Sequence, residues 1–276
     1  MNRSGKDSAF KSALHTRSVL GLLFVLIILV GLSSPLVMPA HAVLQVKRRT
    51  TPVKGIVISA NYVVWGLSGA PSFTELKKAG FTHVGTIAYS EFGESEWSRM
   101  ATWIRSVQKA GFVAFVNFWA NATAAMEMAK SAAATGADML ALDELLGRYE
   151  LNEQQLGLVI ESALNVNPKL SFILNECVTV QITNAYAWTA KYASVRIATD
   201  SYNDKTQIDY GAQVASSYGK KSIAWLIFAK GSMDFDCYNH LDQWLAYAKE
   251  RPVDVFFWLV DKDKTWTAQW EQVAGF

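Results

Sequence analysis

Histidine and cysteine are scarce in this sequence, with four of the first and two of the second in 276 residues. His15 and His41 fall in a leader-like N-terminus, which leaves His83 and His240 for the folded part and argues against a histidine-rich zinc site. Cys177 and Cys237 can pair in an oxidising compartment or stay as buried thiols, and the sequence does not choose between these. An excess of one charge is also missing. Residues 1–42 hold four of the 26 Lys and Arg and one of the 24 Asp and Glu, so the remainder carries a net charge of −1. Such a chain has no basic field for a phosphate backbone, and no nucleic-acid partner is expected.

A long apolar run is the third absence. The run 19–32 has 14 residues, short of the roughly 20 that cross a bilayer as a helix. Arg3, Lys6, Lys11 and Arg17 precede it, Pro35 breaks it, and Ala40-His41-Ala42 has the small-x-small pattern of a cleavage site. Residues 1–42 are therefore predicted to be a signal peptide, and the rest to be secreted, periplasmic or held at the cell surface. The alternative is an uncleaved anchor extended by Leu36-Val37-Met38, the only case in which a membrane is expected as a partner.

What is present is material for one large core. Apolar residues make up 51% and charged residues 18%, and the 234 residues after the leader suit one domain over 55–276 behind a lead-in at 43–54. Apolar, β-branched or aromatic runs recur at 55–61, 83–89, 113–119, 137–143, 170–176, 195–200, 223–229 and 253–260. Between them lie stretches of helical period, among them 96–110, 152–164 and 241–251. In the last, Leu241, Trp244, Leu245 and Ala248 form one apolar face. Gly80, Gly111, Gly136 and Gly219 stand where left-handed caps would close helices before the next run. Strands that are apolar on both faces and alternate with helices predict a parallel sheet. Eight such units predict closure into an α/β (β/α)8 TIM barrel.

In that fold the chemistry sits at the C-terminal ends of the strands. Read off in order, those ends carry Asn61 and Tyr62; Tyr89; Asn117 and Trp119; Asp143 and Glu144; Asn175 and Glu176; Asp200 and Tyr202; Lys230; and Trp258 with Asp261. Carboxylates, amides and aromatic faces are the set that sugar hydrolysis needs. One acid protonates the leaving oxygen while a second carboxylate attacks the anomeric carbon or activates water. Neighbouring buried carboxylates also separate in pKa, which lets one keep its proton. Asp143 and Glu144 are the sharpest pair, although Asp143 could instead cap a helix starting near Glu144. Glu176 is the neighbouring candidate, or else a salt-bridge partner of Lys230. Asn61, Tyr62, Tyr89, Asn117, Trp119, Asn175, Asp200, Tyr202, Lys230 and Trp258 are expected to bind substrate, with core packing as the other reading of Trp119 and Trp258. Trp225 reads as core, and Asn121-Ala122-Thr123 as an incidental glycosylation sequon.

The stretch Gly136-Ala137-Asp138-Met139-Leu140-Ala141-Leu142-Asp143-Glu144 resembles the strand-4 signature of spherulin-4-like proteins. These are secreted (β/α)8 glycoside hydrolases of amino-sugar polymers, with an adjacent Asp-Glu pair in the active site. The resemblance covers one unit of eight; it implies active-site roles for Asp143 and Glu144 and leaves Glu176 and Asp200 both open as the third acid. The pair is also similar to that of hexosaminidases that use the substrate acetamido group as nucleophile. There Asp143 would orient that group and Glu144 would be the acid. Asn175-Glu176 resembles the acid/base pair of the large retaining clan, but the run 223–229 lacks the nucleophilic Glu that clan requires.

The expected function is hydrolysis of a polysaccharide or amino-sugar glycan, with Glu144 as general acid, Asp143 or Glu176 completing the pair, and no cofactor. Two alternatives stand beside it. One is an enolase-like barrel enzyme holding magnesium on Asp143, Glu176 and Asp200. The other is a carbohydrate-binding barrel without catalysis.

Overall fold

The computed structural model describes residues 52–176, 194–227, 236–259 and 267–276. The expected leader 1–42, most of the lead-in, and Cys177, Phe228, Lys230 and Asp261 lie outside the described residues. Eight parallel strands pair in sequence order and close on themselves: β1 (Lys54–Ile58), β2 (His83–Ala88), β3 (Val113–Phe118), β4 (Met139–Asp143), β5 (Ser171–Glu176), β6 (Val195–Asp200), β7 (Ile223–Ile227) and β8 (Asp254–Leu259). The chain is a (β/α)8 barrel, as the repeating runs predict. Among the described residues no helix is long and apolar enough to cross a membrane.

Successive strand residues face opposite ways, so each strand feeds two cores. Ile56, Val84, Val116, Leu140, Leu174 and Leu226 point outward and pack under the helices. Val57, Ile87, Phe115, Ala141, Ile173, Ala198, Trp225 and Phe256 point inward and fill the barrel. Trp225 is fully buried there, in agreement with its reading as core. Two glycines make room for the large inner rings. A Cβ on Gly85 would lie 2.4 Å from the Phe115 ring, and one on Gly55 would lie 2.6 Å from Phe256. Neither ring has space to retreat in a close-packed interior.

The helices follow their local signals. Ser72 with Glu75 and Asn152 with Gln155 form capping boxes at the starts of Phe73–Lys78 and Glu153–Val166. Gly80, Gly111, Gly136 and Gly219 all have φ between 67° and 86°, the left-handed geometry expected of the caps. Helix Leu241–Lys249 buries Leu241, Trp244, Leu245 and Ala248, the face read from spacing.

The first run needs correction. It was expected to stay extended through Asn61, but β1 stops at Ile58. Ser59 then accepts a hydrogen bond from the Asn61 backbone N–H at 3.3 Å and caps a short helix, Ala60–Val63. An N-cap side chain satisfies the free amides of a first turn, and here that wins over strand extension. Asn61 and Tyr62 therefore ride on a helical turn beside the rim, and Tyr62 packs against the outer core.

At the N-terminal end, Asp254 accepts from the Val53 backbone at 2.9 Å and pairs with Arg196 at 2.5 Å. Burial beside Arg196 lowers the His83 pKa to about 4 and so keeps the ring neutral. This closes the bottom of the barrel and leaves the chemistry to the other end.

Candidate active site

Three inward positions bring their side chains to one point at the C-terminal mouth. Asp143 ends β4, Asn175 lies opposite it on β5, and Asp200 ends β6. The Asn175 amide nitrogen donates to Asp143 Oδ1 at 2.7 Å and to Asp200 Oδ1 at 2.6 Å. One NH2 group thus serves both carboxylates. Asn117, inward on β3, donates to the other oxygen of Asp143 at 3.3 Å, and the Tyr202 phenol lies beside Asp200. Asp143 is buried, whereas Asp200 is part-buried.

Two buried carboxylates held this close cannot both be charged. Burial pushes Asp143 well above the ordinary carboxylate range and the Asp200 charge adds to this, against the hydrogen bonds from Asn175 and Asn117. Asp200 is raised to about 7, chiefly by burial, with Asn175 and Tyr202 opposing. The two titrate as a pair, and at neutral pH the pair retains a proton.

Glu144 follows at once, but not as a strand residue. Its φ is 51°, a left-handed conformation that costs a non-glycine residue energy and persists only where the surroundings impose it. Here they do. The Glu144 N–H donates to Asn175 O at 2.7 Å, and its own carbonyl accepts from the Arg148 and Tyr149 amides at 3.0 and 3.2 Å. The turn carries the side chain to the rim, where it is 21% exposed and pairs with Arg148 at 3.5 Å. Asp143 caps no helix: the next one starts at Glu153, capped by Asn152.

Glu176 does not join this cluster. Adjacent to the inward Asn175, it faces the outer layer, where its two oxygens accept from the Leu146 and Gly147 amides at 3.0 and 3.1 Å. Burial raises its pKa to about 7, the two amides opposing. The expectation that it completes the catalytic pair is corrected by strand alternation: its carboxylate holds the turn 144–151 in place. The same fact removes the three-carboxylate magnesium site, because Asp143, Glu176 and Asp200 do not converge. Among the described residues no cluster of three metal-binding side chains occurs.

Aromatic rings line the rest of the described mouth. Trp119 lies 5.6 Å from Tyr89 and 6.0 Å from Trp258, and Trp258 lies 6.4 Å from Tyr202. Trp119 and Trp258 are half-buried, so each serves both packing and the cavity wall. Among the described residues the buried Asn117 Oδ1, Asn175 Oδ1 and Trp258 Nε1 have no hydrogen-bond partner. Buried polar atoms are rarely left so. The sequence reading passed over Trp65, which follows the short helix after β1 and stacks on Tyr89. Its only signal was an aromatic residue three positions after Tyr62. Cys237 is a buried free thiol that donates to Ile227 O at 3.4 Å.

No protein-family model matches the chain, and no curated protein matches its sequence. Solved structures do match. Thermotoga maritima Cel5A in complex with cellobiose superposes with a TM-score of 0.59 at 13% identity, covering 82% of this chain and 98% of that one. An endoglucanase gives 0.61 at 12% identity, with 82% and 97% covered. Dihydropteroate synthase from Xanthomonas albilineans, which is not a glycosidase, gives 0.51 at 13%, with 80% and 91% covered. The shared property is the fold. Function has to be argued from the site.

Proposed function

We propose that this protein is an exported glycoside hydrolase acting on an amino-sugar-containing polysaccharide. The observation that carries the reading is the pair of aspartates joined through one Asn175 nitrogen, with Glu144 turned onto the rim beside them. The pair retains a proton at neutral pH, and Asp200 is its less buried member, so we assign Asp200 as the group that protonates the leaving oxygen. Glu144, ion-paired with Arg148, supplies the carboxylate that stabilises positive charge at the anomeric carbon or activates water. Asp143, the more deeply buried partner, shares the Asn175 amide with Asp200 and is itself raised by the Asp200 charge. This exchanges the roles expected from the sequence, where Glu144 was the acid, because a buried carboxyl with a raised pKa is the natural proton donor. Partially negative walls and free acceptors at Asn117 and Asn175 suit a sugar bearing amine or amide donors.

The test is hydrolysis of a panel of neutral and amino-sugar polysaccharides by the chain from Val43 onward. Cleavage of an amino-sugar polymer is expected, reduced about a hundredfold by Glu144→Gln. Rates unchanged by that substitution would remove Glu144 from the mechanism. Binding without turnover would replace the enzyme with a carbohydrate-binding barrel.

A further inference from the structure

We infer that Trp65 forms a distal sugar subsite, connected to the acid cluster by a succession of rings, so that the site takes a chain of several sugar units. The inference rests on the glycan reading above and extends it.

Trp65 is 46% exposed. A lone exposed apolar side chain needs no explanation, but this one is neither alone nor loose. Its plane lies 14° from that of Tyr89 with centroids 6.0 Å apart, and Phe92 meets it edge-on at 5.7 Å. The backbone beneath is tied down as well: Val64 N donates to Ala60 O at 2.7 Å, Leu67 N to Asn61 O at 3.0 Å, and Arg99 Nη1 to Val64 O at 3.1 Å. The ring is thus ordered before any ligand arrives, which removes much of the entropic cost of stacking on it.

Its position supplies the second argument. From Trp65 the rings run through Tyr89, Trp119 and Trp258 to Tyr202, each 5.6 to 6.4 Å from the next. Tyr202 lies beside Asp200. An aromatic path therefore leads from the reacting acids to an exposed platform outside them. The C–H faces of successive sugars pack on such rings, while a single terminal sugar would reach only the inner part. Leu67, two residues on, is a further exposed apolar side chain, at 51%.

The experiment is calorimetric titration with gluco- and galactosamine oligomers, N-acetylated and free, from monomer to hexamer, in a Glu144→Gln background to suppress turnover. Affinity is expected to rise with length. Trp65→Ala should weaken the hexamer about tenfold and leave the monomer unchanged, and Trp65→Phe should retain most of the gain. If Trp65→Ala matches its parent at every length, or weakens monomer and hexamer alike, the distal subsite is wrong while the glycan reading stands. If no oligomer binds the parent, the glycan reading fails and the subsite with it.

Discussion

Asp200→Asn should cut hydrolysis of an amino-sugar polymer about a thousandfold and at the same time make the fold more resistant to alkali. The first effect follows from removing the proposed proton donor. In the unsubstituted protein kcat/KM is expected to hold steady on the acid side of about pH 7 and fall as pH rises through it, because Asp200 titrates there. The variant's residual activity should lack that limb. The second effect is a linkage argument. A carboxyl whose pKa is raised in the folded state contributes stability that is fully present below its unfolded value and is lost as pH rises through the folded one. For Asp200 that loss begins in the ordinary carboxylate range and is complete once pH has risen through about 7. Asparagine keeps an acceptor for Asn175 and carries no charge, so it relieves the repulsion on Asp143. Thermal melts should show Asp200→Asn more stable by about 1–3 kcal/mol on the alkaline side, with a smaller difference at acid pH. A variant that is inactive yet no more stable at alkaline pH would mean that the carboxylates do not repel one another in the fold.

Glu176→Ala carries the second large effect, and it is structural first. The Leu146 and Gly147 amides would lose their acceptors in a buried setting. Each unsatisfied donor costs about 1–3 kcal/mol, so unfolding free energy should drop by about 2–6 kcal/mol in denaturant titrations. Glu176 is also raised to about 7, so its own contribution, by the sign given above, is lost as pH rises through that value. Removing it should make the decline of stability between weakly acid and alkaline pH less steep. Because the turn it clamps holds Glu144 at its left-handed φ, kcat should fall more than KM rises. A change confined to KM would place Glu176 in substrate binding.

These two residues mark where the sequence was readable and where it was not. The barrel was legible because hydrophobic period, glycine caps and helix faces all agreed, as at Gly111 and along Leu241–Ala248. The rim was legible because the fold assigns chemistry to strand ends, which brought Asp143, Asn175 and Asp200 onto the candidate list. Which way each side chain turns was not legible. Asn175 and Glu176 are consecutive, and only the register shows that the amide faces the cavity while the acid faces outward. Glu144 escaped that alternation because a strained φ lies outside what propensity can predict. Asn61 and Tyr62 moved because the cap made by Ser59 is a local competitor to strand extension. Trp65 was missed because its meaning depends on Tyr89 and Phe92, which are distant in sequence.

The most direct measurement of the central claim is a pH titration of the aspartate side-chain carboxyl carbons by carbon-13 NMR, in the unsubstituted chain and in Asp200→Asn. A shared proton predicts a carboxyl resonance that titrates near pH 7 and is lost or displaced in the variant. If every aspartate titrates in the ordinary carboxylate range around 4, the pair holds no proton at neutral pH, and Asp200 cannot be the acid.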